Sequence, residues 1–401
     1  MCTYYIGKVY SVGDGLCYEG QIKNQFNSKY HFVLDCGNKT PTCRTKWNGK
    51  LSQTECDNRL DEITDEIALN ESHINLFILT HFHYDHYSGY KKLFKKTKID
   101  TIIMPYLYPE ERLCLIVNNE NDDDTFLANP YSEILNQARE NNDNVKLILI
   151  RGNDNGEYYQ KDMPYDDNPW GKMHEDIENI LELEDLDLSS VSVIRATSTG
   201  NDIYNAFWKF KLFNYEVDES KLIQLRKFVG KLTAQDLYNL IRNSKAKIKA
   251  QYDMIAKYLS DDLNNTSIII YHAPIKVCGK CGTIITGDID LNFNLASILK
   301  YYNNELKSVG LFSLPHHGSY NNWNKNLIDN GNLDNVVCFA STHNYYTSRL
   351  TGVMMSDLRI HNISVLVVDE NRISEFIHYF LYDDCVHYID KMGSETFICI
   401  S

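Results

Sequence analysis

Short apolar runs bounded by polar residues recur along this chain and set its elements. Leu76 to Leu79, Thr101 to Met104, Val145 to Ile150, Ser267 to Tyr271, Gly282 to Thr286, Ser308 to Leu314, Val336 to Ala340, Ile363 to Val368 and Phe376 to Leu381 read as strands, being too short for stable buried helices. Phe207 to Phe213 alternates like a strand, and Gly7 to Cys36 reads as a β-hairpin or meander with a turn at Val12-Gly13-Asp14-Gly15. Helical patterns fall at Leu60 to Leu69, after Tyr90, at Leu291 to Tyr302, and two or three times between Ser220 and Leu259. Strands interleaved with helices predict an α/β fold. From Pro105 to about Leu263 the texture changes, with a strongly acidic stretch at Asp154 to Asp187. We read about 151 to 263 as an elaboration, structural or acting as a cap or lid, on one domain spanning 1–401.

The polar residues that end these strands carry the candidate chemistry. Leu76 to Leu79 opens into His81, His83, Asp85 and His86, at a strand's carboxyl end, where α/β sheets place their sites. Residues two apart in an extended segment point the same way, so His81 and His83 can meet one ion, while Asp85 and His86, past a bend, turn toward a second. Gly89 would let the chain turn into the next helix. Asp35 ends an early strand, Asp288 ends Gly282 to Thr286, and His316 and His317 follow Ser308 to Leu314. An aspartate at a strand end is by itself a common turn former, and the repetition at several ends is what singles these out. His343 ends a further strand as an ordinary loop residue or as part of the same cleft.

Two other features have bland and sharp readings. Lys91, Lys92, Lys95, Lys96 and Lys98 lie in a run expected to be helical, either as a solvated face or as a rim attracting phosphate. Cys278 and Cys281 flank Gly279-Lys280 at a hairpin tip, and a single CxxC suits a cross-strand thiol pair better than a zinc set.

Composition narrows the setting. The chain has 401 residues, 43% hydrophobic and 23% charged, which is ordinary for a folded protein. Its 11 cysteines follow no disulfide framework, and no apolar stretch approaches the roughly 18 to 20 residues of a membrane span, so a reducing, cytoplasmic setting is expected and no membrane partner. A net charge of −14 argues against broad non-specific nucleic-acid binding. It leaves room for a metal-centred site acting on phosphate, because bound cations dominate the local field.

HFHYDH at 81 to 86 resembles the HxHxDH signature of the metallo-β-lactamase superfamily, and Asp35, TGD ending at Asp288, and PHHGS at 315 to 319 follow the same order. VGDG, LDCG, TGD and LPHHGS together are similar to the soluble hydrolase domain of bacterial competence proteins of the ComEC type. The resemblance covers about 1 to 105 and 264 to 370. It implies an αββα sandwich with metals at one edge. It further implies that His81 and His83 bind a first divalent cation, that Asp85, His86 and His317 bind a second, and that Asp288 bridges them. Asp35 would orient a ligand histidine. His316 would face phosphate or donate a proton, and His343 and Asn264 are candidate substrate contacts. Asn264 or Asn265 falls where the superfamily usually has a third histidine, which favours Mn²⁺ or Mg²⁺ over a tightly held Zn²⁺ pair. The expected activity is phosphodiester hydrolysis, as a nuclease, with Asp85 orienting the attacking water. A regulatory protein partner and a role in bacterial defence rest on the same resemblance. The alternatives are hydrolysis of a small ester, lactone or thioester, or a non-catalytic regulatory module.

Overall fold

Alternation along the strands sorts the side chains into layers. The computed structural model describes residues 3–24, 29–39, 53–118, 124–152, 184, 186, 191–196, 201–204, 208–215, 219–242, 266–277, 279–331, 333, 335–343, 349–381, 386–391 and 397–400. Its strands are β1 (Thr3–Val9), β2 (Cys17–Asn24), β3 (Lys29–Cys36), β4 (His73–Ile78), β5 (Lys98–Pro105), β6 (Lys146–Gly152), β7 (Val191–Ala196), β8 (Asn201–Tyr204) and β9 (Trp208–Phe213). There follow β10 (Ile269–Pro274), β11 (Gly282–Ile285), β12 (Val309–Ser313), β13 (Val337–Ser341), β14 (Ser364–Val368), β15 (Phe376–Leu381), β16 (Val386–Lys391) and β17 (Phe397–Ile400). They form a ten-stranded sheet, β17-β16-β15-β1-β2-β3-β4-β5-β6-β7, and a seven-stranded sheet, β14-β13-β12-β11-β10-β9-β8.

On β4, Leu76 and Ile78 join a cluster shared by both sheets, while Phe77 between them joins a cluster with helical residues. On β10, Ile270 packs toward the first sheet while Ile269 and Tyr271 pack the other way. The inter-sheet cluster includes Leu34, Ile103, Phe210, Ile285, Leu311 and Phe339. A second cluster lies between the first sheet and helices Gln53–Asn70, Tyr90–Lys96 and Pro130–Arg139, through Ile63, Phe94 and Ile134. The third lies between the second sheet and helices Leu291–Tyr301 and Gly352–Ile360, through Ile298 and Met354. Three apolar interfaces define four layers, the αββα sandwich that the resemblance implied. Each fully buried Leu, Ile or Phe contributes roughly 1.5–3 kcal/mol to holding them together.

Strand direction gathers the site. β3 through β7 run parallel in the first sheet, and β11 through β14 run parallel in the second. Parallel neighbours end on the same edge, which brings Asp35, the histidine cluster, Asp288, the His316-His317 turn and Ser341 to one edge of the sandwich.

Several expectations are corrected. β7, β8 and β9 fall within the 151–263 range but belong to the sheets, β9 in the interior of the second between β8 and β10. Lys98 opens β5 instead of continuing the helix. Gly89, expected to let the chain turn into the next helix, stands at the N-cap of helix Tyr90–Lys96 with φ −94°, and a Cβ there would lie 2.8 Å from Cys36 Sγ. Cys278 and, apart from Glu184 and Leu186, the acidic stretch 154–187 lie outside the described residues.

The middle of the chain is tied down by ionic contacts. On helix Pro109–Asn118, the consecutive residues Glu110, Glu111 and Arg112 are all fully buried. Arg226 Nε donates to Glu110 at 3.1 Å, Arg151 Nη1 to Glu111 at 2.8 Å, and Arg112 Nη2 to Glu184 at 2.8 Å. Buried charges of this kind survive only when paired. No helix among the described residues is long and apolar enough to cross a membrane.

Candidate metal centre

The site starts from a turn that the sequence makes at the end of β4. Thr80 donates its backbone N–H to Asp35 Oδ1 and its hydroxyl to Asp35 Oδ2, each at 2.7 Å. Asp35 holds φ 52°, a left-handed conformation that Asp tolerates better than most residues, and its side chain is sealed from solvent. After His83 the chain enters the short helix Tyr84–Tyr87, which carries Asp85 and His86 and brings the centroid of the His86 ring to 4.0 Å from that of His81. The bend expected between the two pairs is therefore a helical turn.

Hydrogen bonds select which nitrogen each histidine presents. Asp35 Oδ2 lies 2.7 Å from His86 Nδ1, so that nitrogen keeps its proton and Nε2 is the one a cation would take. The Ser341 carbonyl accepts from His317 Nδ1 at 3.0 Å, which turns Nε2 inward to Asp85 Oδ2 at 3.1 Å. Thr80 Oγ1, whose own proton goes to Asp35, accepts from His81 Nδ1 at 3.0 Å. These partners aim lone pairs of three rings at one place.

That place is Asp288. Its Oδ2 lies 3.4 Å from His81 Nε2 and 3.5 Å from His83 Nδ1. Its Oδ1 lies 3.5 Å from His86 Nε2 and 3.6 Å from His317 Nε2, and His317 Nε2 is 3.1 Å from Asp85 Oδ2. Two donor sets result, His81 with His83 and Asp288, and Asp85 with His86 and His317, each spanning no more than 4.8 Å. His86 Nε2 and Asp288 Oδ1 are buried without a hydrogen-bond partner. Orphaned polar atoms at the centre of an imidazole and carboxylate cluster are the expected signature of a site that takes divalent cations, so the residues fit that group.

Charge states agree with the geometry. Asp288 is held well below the usual carboxylate range, because His316, His81 and His317 outweigh the opposing effect of burial. Asp85 is also held well below it, burial again opposing and the His317 hydrogen bond prevailing. Burial pushes His81 down to about 3, so its ring stays neutral. His86 is raised despite burial by the carboxylates of Asp35 and Asp288, and a cation binding there displaces its proton. Two anionic carboxylates facing a neutral imidazole are what a cation requires.

His316 lies on the rim, its side chain 30% exposed and its Nε2 3.7 Å from Asp288 Oδ2. His343 is different. It is buried, with Nδ1 2.9 Å from Glu370 and Nε2 3.1 Å from the Lys39 carbonyl, so neither nitrogen is available to a substrate. Asn264 and Asn265 lie outside the described residues. Lys91 pairs with Glu133, Lys92 with Asp61 at 2.8 Å and Lys96 with Asp65 at 2.7 Å, which suits a solvated face.

His272, close in sequence to the departed third histidine position, points elsewhere. It sits between the sheets, with Tyr18 Oη 3.0 Å from Nε2 and Trp208 Nε1 donating to Nδ1 at 3.3 Å. Tyr18 Oη is also 2.8 Å from His378 Nε2, His378 Nδ1 is 2.8 Å from His387 Nε2, and the Lys280 carbonyl is 3.0 Å from His387 Nδ1. One proton per ring satisfies the whole series.

Sequence reasoning read Val12 to Gly15 as a turn but gave no site role to it, to Thr80 or to Ser341. Gly15 passes so close to the cluster that a Cβ there would lie 2.4 Å from the Asp85 carbonyl, and Asp14 pairs with Arg349 and accepts from the His343 backbone at 3.1 Å. The hydroxyl immediately before HxHxDH and the VGDG turn were the available signals.

No family model matches the chain, and no curated protein matches it. Among solved structures, a long form RNase Z from yeast aligns with a TM-score of 0.36 and 10% identity, covering 100% of this chain and 49% of that one. A new diphosphatase from the PhnP family aligns with a TM-score of 0.30 and 9% identity, covering 92% of this chain and 86% of that one. This chain thus spans about half the length of the RNase Z.

Proposed function

We propose that this chain is a metal-dependent hydrolase of phosphodiester bonds, with nucleic acid as its substrate class. His81, His83, Asp85, His86, Asp288 and His317 would hold two divalent cations, zinc or manganese, with magnesium also admissible. The observation that supports this most is the division of imidazoles between the two oxygens of Asp288. When bound, such a pair of cations acidifies a water and offsets charge on the phosphoryl oxygens. The chain's own contribution is orientation. Asp85 stands beside the centre, where its carboxylate orients the attacking water; Asp35, Thr80 and the Ser341 carbonyl keep the ring nitrogens turned inward. The reading extends, on resemblance alone, to a nuclease of a bacterial defence system controlled by a protein partner.

A small diester or ester is the second reading. It is favoured by the pairing of Lys91, Lys92 and Lys96 with acids, which removes them as a cationic track for a polynucleotide. One assay separates the two: hydrolysis of single- and double-stranded DNA, RNA, a small diester and a small ester with Mn²⁺, Mg²⁺ or Zn²⁺, using Asp288→Ala as control. Cleavage of nucleic acid that vanishes in the variant is the expected result. Turnover of the small compounds alone would overturn the substrate class, and activity persisting in the variant would overturn the site.

A further inference from the structure

The PHHGS turn runs through consecutive left-handed residues, His316 at φ 47° and ψ 55° and His317 at φ 56° and ψ 29°. Residues with a Cβ disfavour this region, and two in succession persist only where their surroundings hold them. Here the His316 N–H donates to the Gly287 carbonyl at 3.0 Å, locking the turn to the loop that carries Asp288. The consequence is convergence. In a strand, neighbouring side chains diverge, whereas His317 Nε2 stands 3.6 Å from Asp288 Oδ1 and His316 Nε2 stands 3.7 Å from Asp288 Oδ2.

The separation itself is informative. A hydrogen bond between nitrogen and oxygen spans about 2.7–3.2 Å, and two ligands at zinc-type bond lengths on a tetrahedral ion stand about 3.4 Å apart. His81, His83 and His316 lie 3.4, 3.5 and 3.7 Å from Asp288 Oδ2, all nearer the second spacing. Among the described residues the His316 Nδ1 is buried with no hydrogen-bond partner, so no protein group fixes the ring in another role. The two donor sets are also unequal. Asp85, His86 and His317 with Asp288 make four protein donors, whereas His81 and His83 with Asp288 make three.

We propose that His316 is the fourth protein donor to the cation held by His81, His83 and Asp288, so that adjacent histidines of one turn serve different cations. This rests on the two-cation reading above. The ring's 30% exposure leaves it room to close on the set. A proton donor at this position would need no such spacing and would leave cation binding untouched.

The test is cation stoichiometry and affinity by elemental analysis and titration, together with the visible spectrum of the cobalt(II)-loaded protein. His316→Gly suits the left-handed backbone, and His316→Asn tolerates it, so two variants guard against misfolding. The wild type should take up two equivalents. Both variants should bind one of them at least about tenfold more weakly, with altered cobalt bands, and keep the other. His317→Gly should weaken the opposite equivalent. Variants that bind both cations like the wild type, with unchanged bands but reduced turnover, would overturn the assignment in favour of proton donation. A wild type that takes up no cation would overturn this assignment and the two-cation reading together.

Discussion

The molecule buries two groups of histidines, and they differ in what their nitrogens meet. Between the sheets, His272, His378 and His387 form a closed series through Tyr18, ending on the Trp208 indole and the Lys280 carbonyl. At the sandwich edge, His81, His86 and His317 each have one nitrogen fixed by a protein partner and the other turned to Asp288 at 3.4–3.6 Å. Both groups are buried. What separates core from site is satisfaction: the first set has used every donor and acceptor, whereas the second leaves His86 Nε2 and Asp288 Oδ1 buried with no hydrogen-bond partner among the described residues.

The sharpest way to break that contrast is to remove its centre. Asp288→Ala should abolish uptake of both cations and lower turnover at least about a thousandfold, since cations of this kind supply several kcal/mol of transition-state stabilisation. A variant that keeps its metal content would mean that Asp288 is no bridge.

The inter-sheet group should announce itself in acid. Burial lowers His272 to about 3 and His387 to about 4, and lowers His378 well below its ordinary value. A depressed histidine favours the unfolded state once protons are available, so its stability contribution is complete above about pH 6.5 and falls as the pH drops toward the folded value. Each ring should cost about 1.4 kcal/mol per pH unit in that window. Urea midpoints measured at about pH 7 and about pH 5 check this, and an unchanged midpoint would show that the folded rings take up protons as readily as the unfolded chain does.

Smaller effects sharpen the difference further. Asp35→Asn keeps the shape but weakens the hold on His86, and cation affinity should fall about 10- to 100-fold with little loss of folding. Tyr18→Phe removes the hydroxyl shared by His272 and His378; it should cost about 1–2 kcal/mol in denaturation and leave cation affinity alone. If Tyr18→Phe changed metal content, the two groups would not be independent.

The sequence shows the fold best where one strand carries one apolar run. Leu76 to Ile78 and Leu147 to Ile150 lie in the largely buried later parts of parallel strands, and the site draws on residues that follow such strands. Legibility fails where a residue's role depends on what lies across the sandwich. His272 follows an apolar run and sits near the aspartate strand, yet the pleat turns it inward, and only Tyr18 and Trp208 from distant strands decide its fate. His343 ends a strand as the ligands do, but Glu370 and Lys39 have already claimed its ring. β9 was legible as a strand but not as an interior member of the second sheet, because pairing with β10 is a long-range event that local alternation does not encode.

The row Glu110, Glu111 and Arg112 bears on how this protein can be cut down. Each faces an ionic partner from a different later segment, at Arg226, Arg151 and Glu184. Shortening the chain anywhere across those segments would strand a charge in the interior, so a minimal version would have to replace the row with apolar residues in the same step. Among the described residues, these ion pairs join the middle of the chain to the first sheet's helical cover.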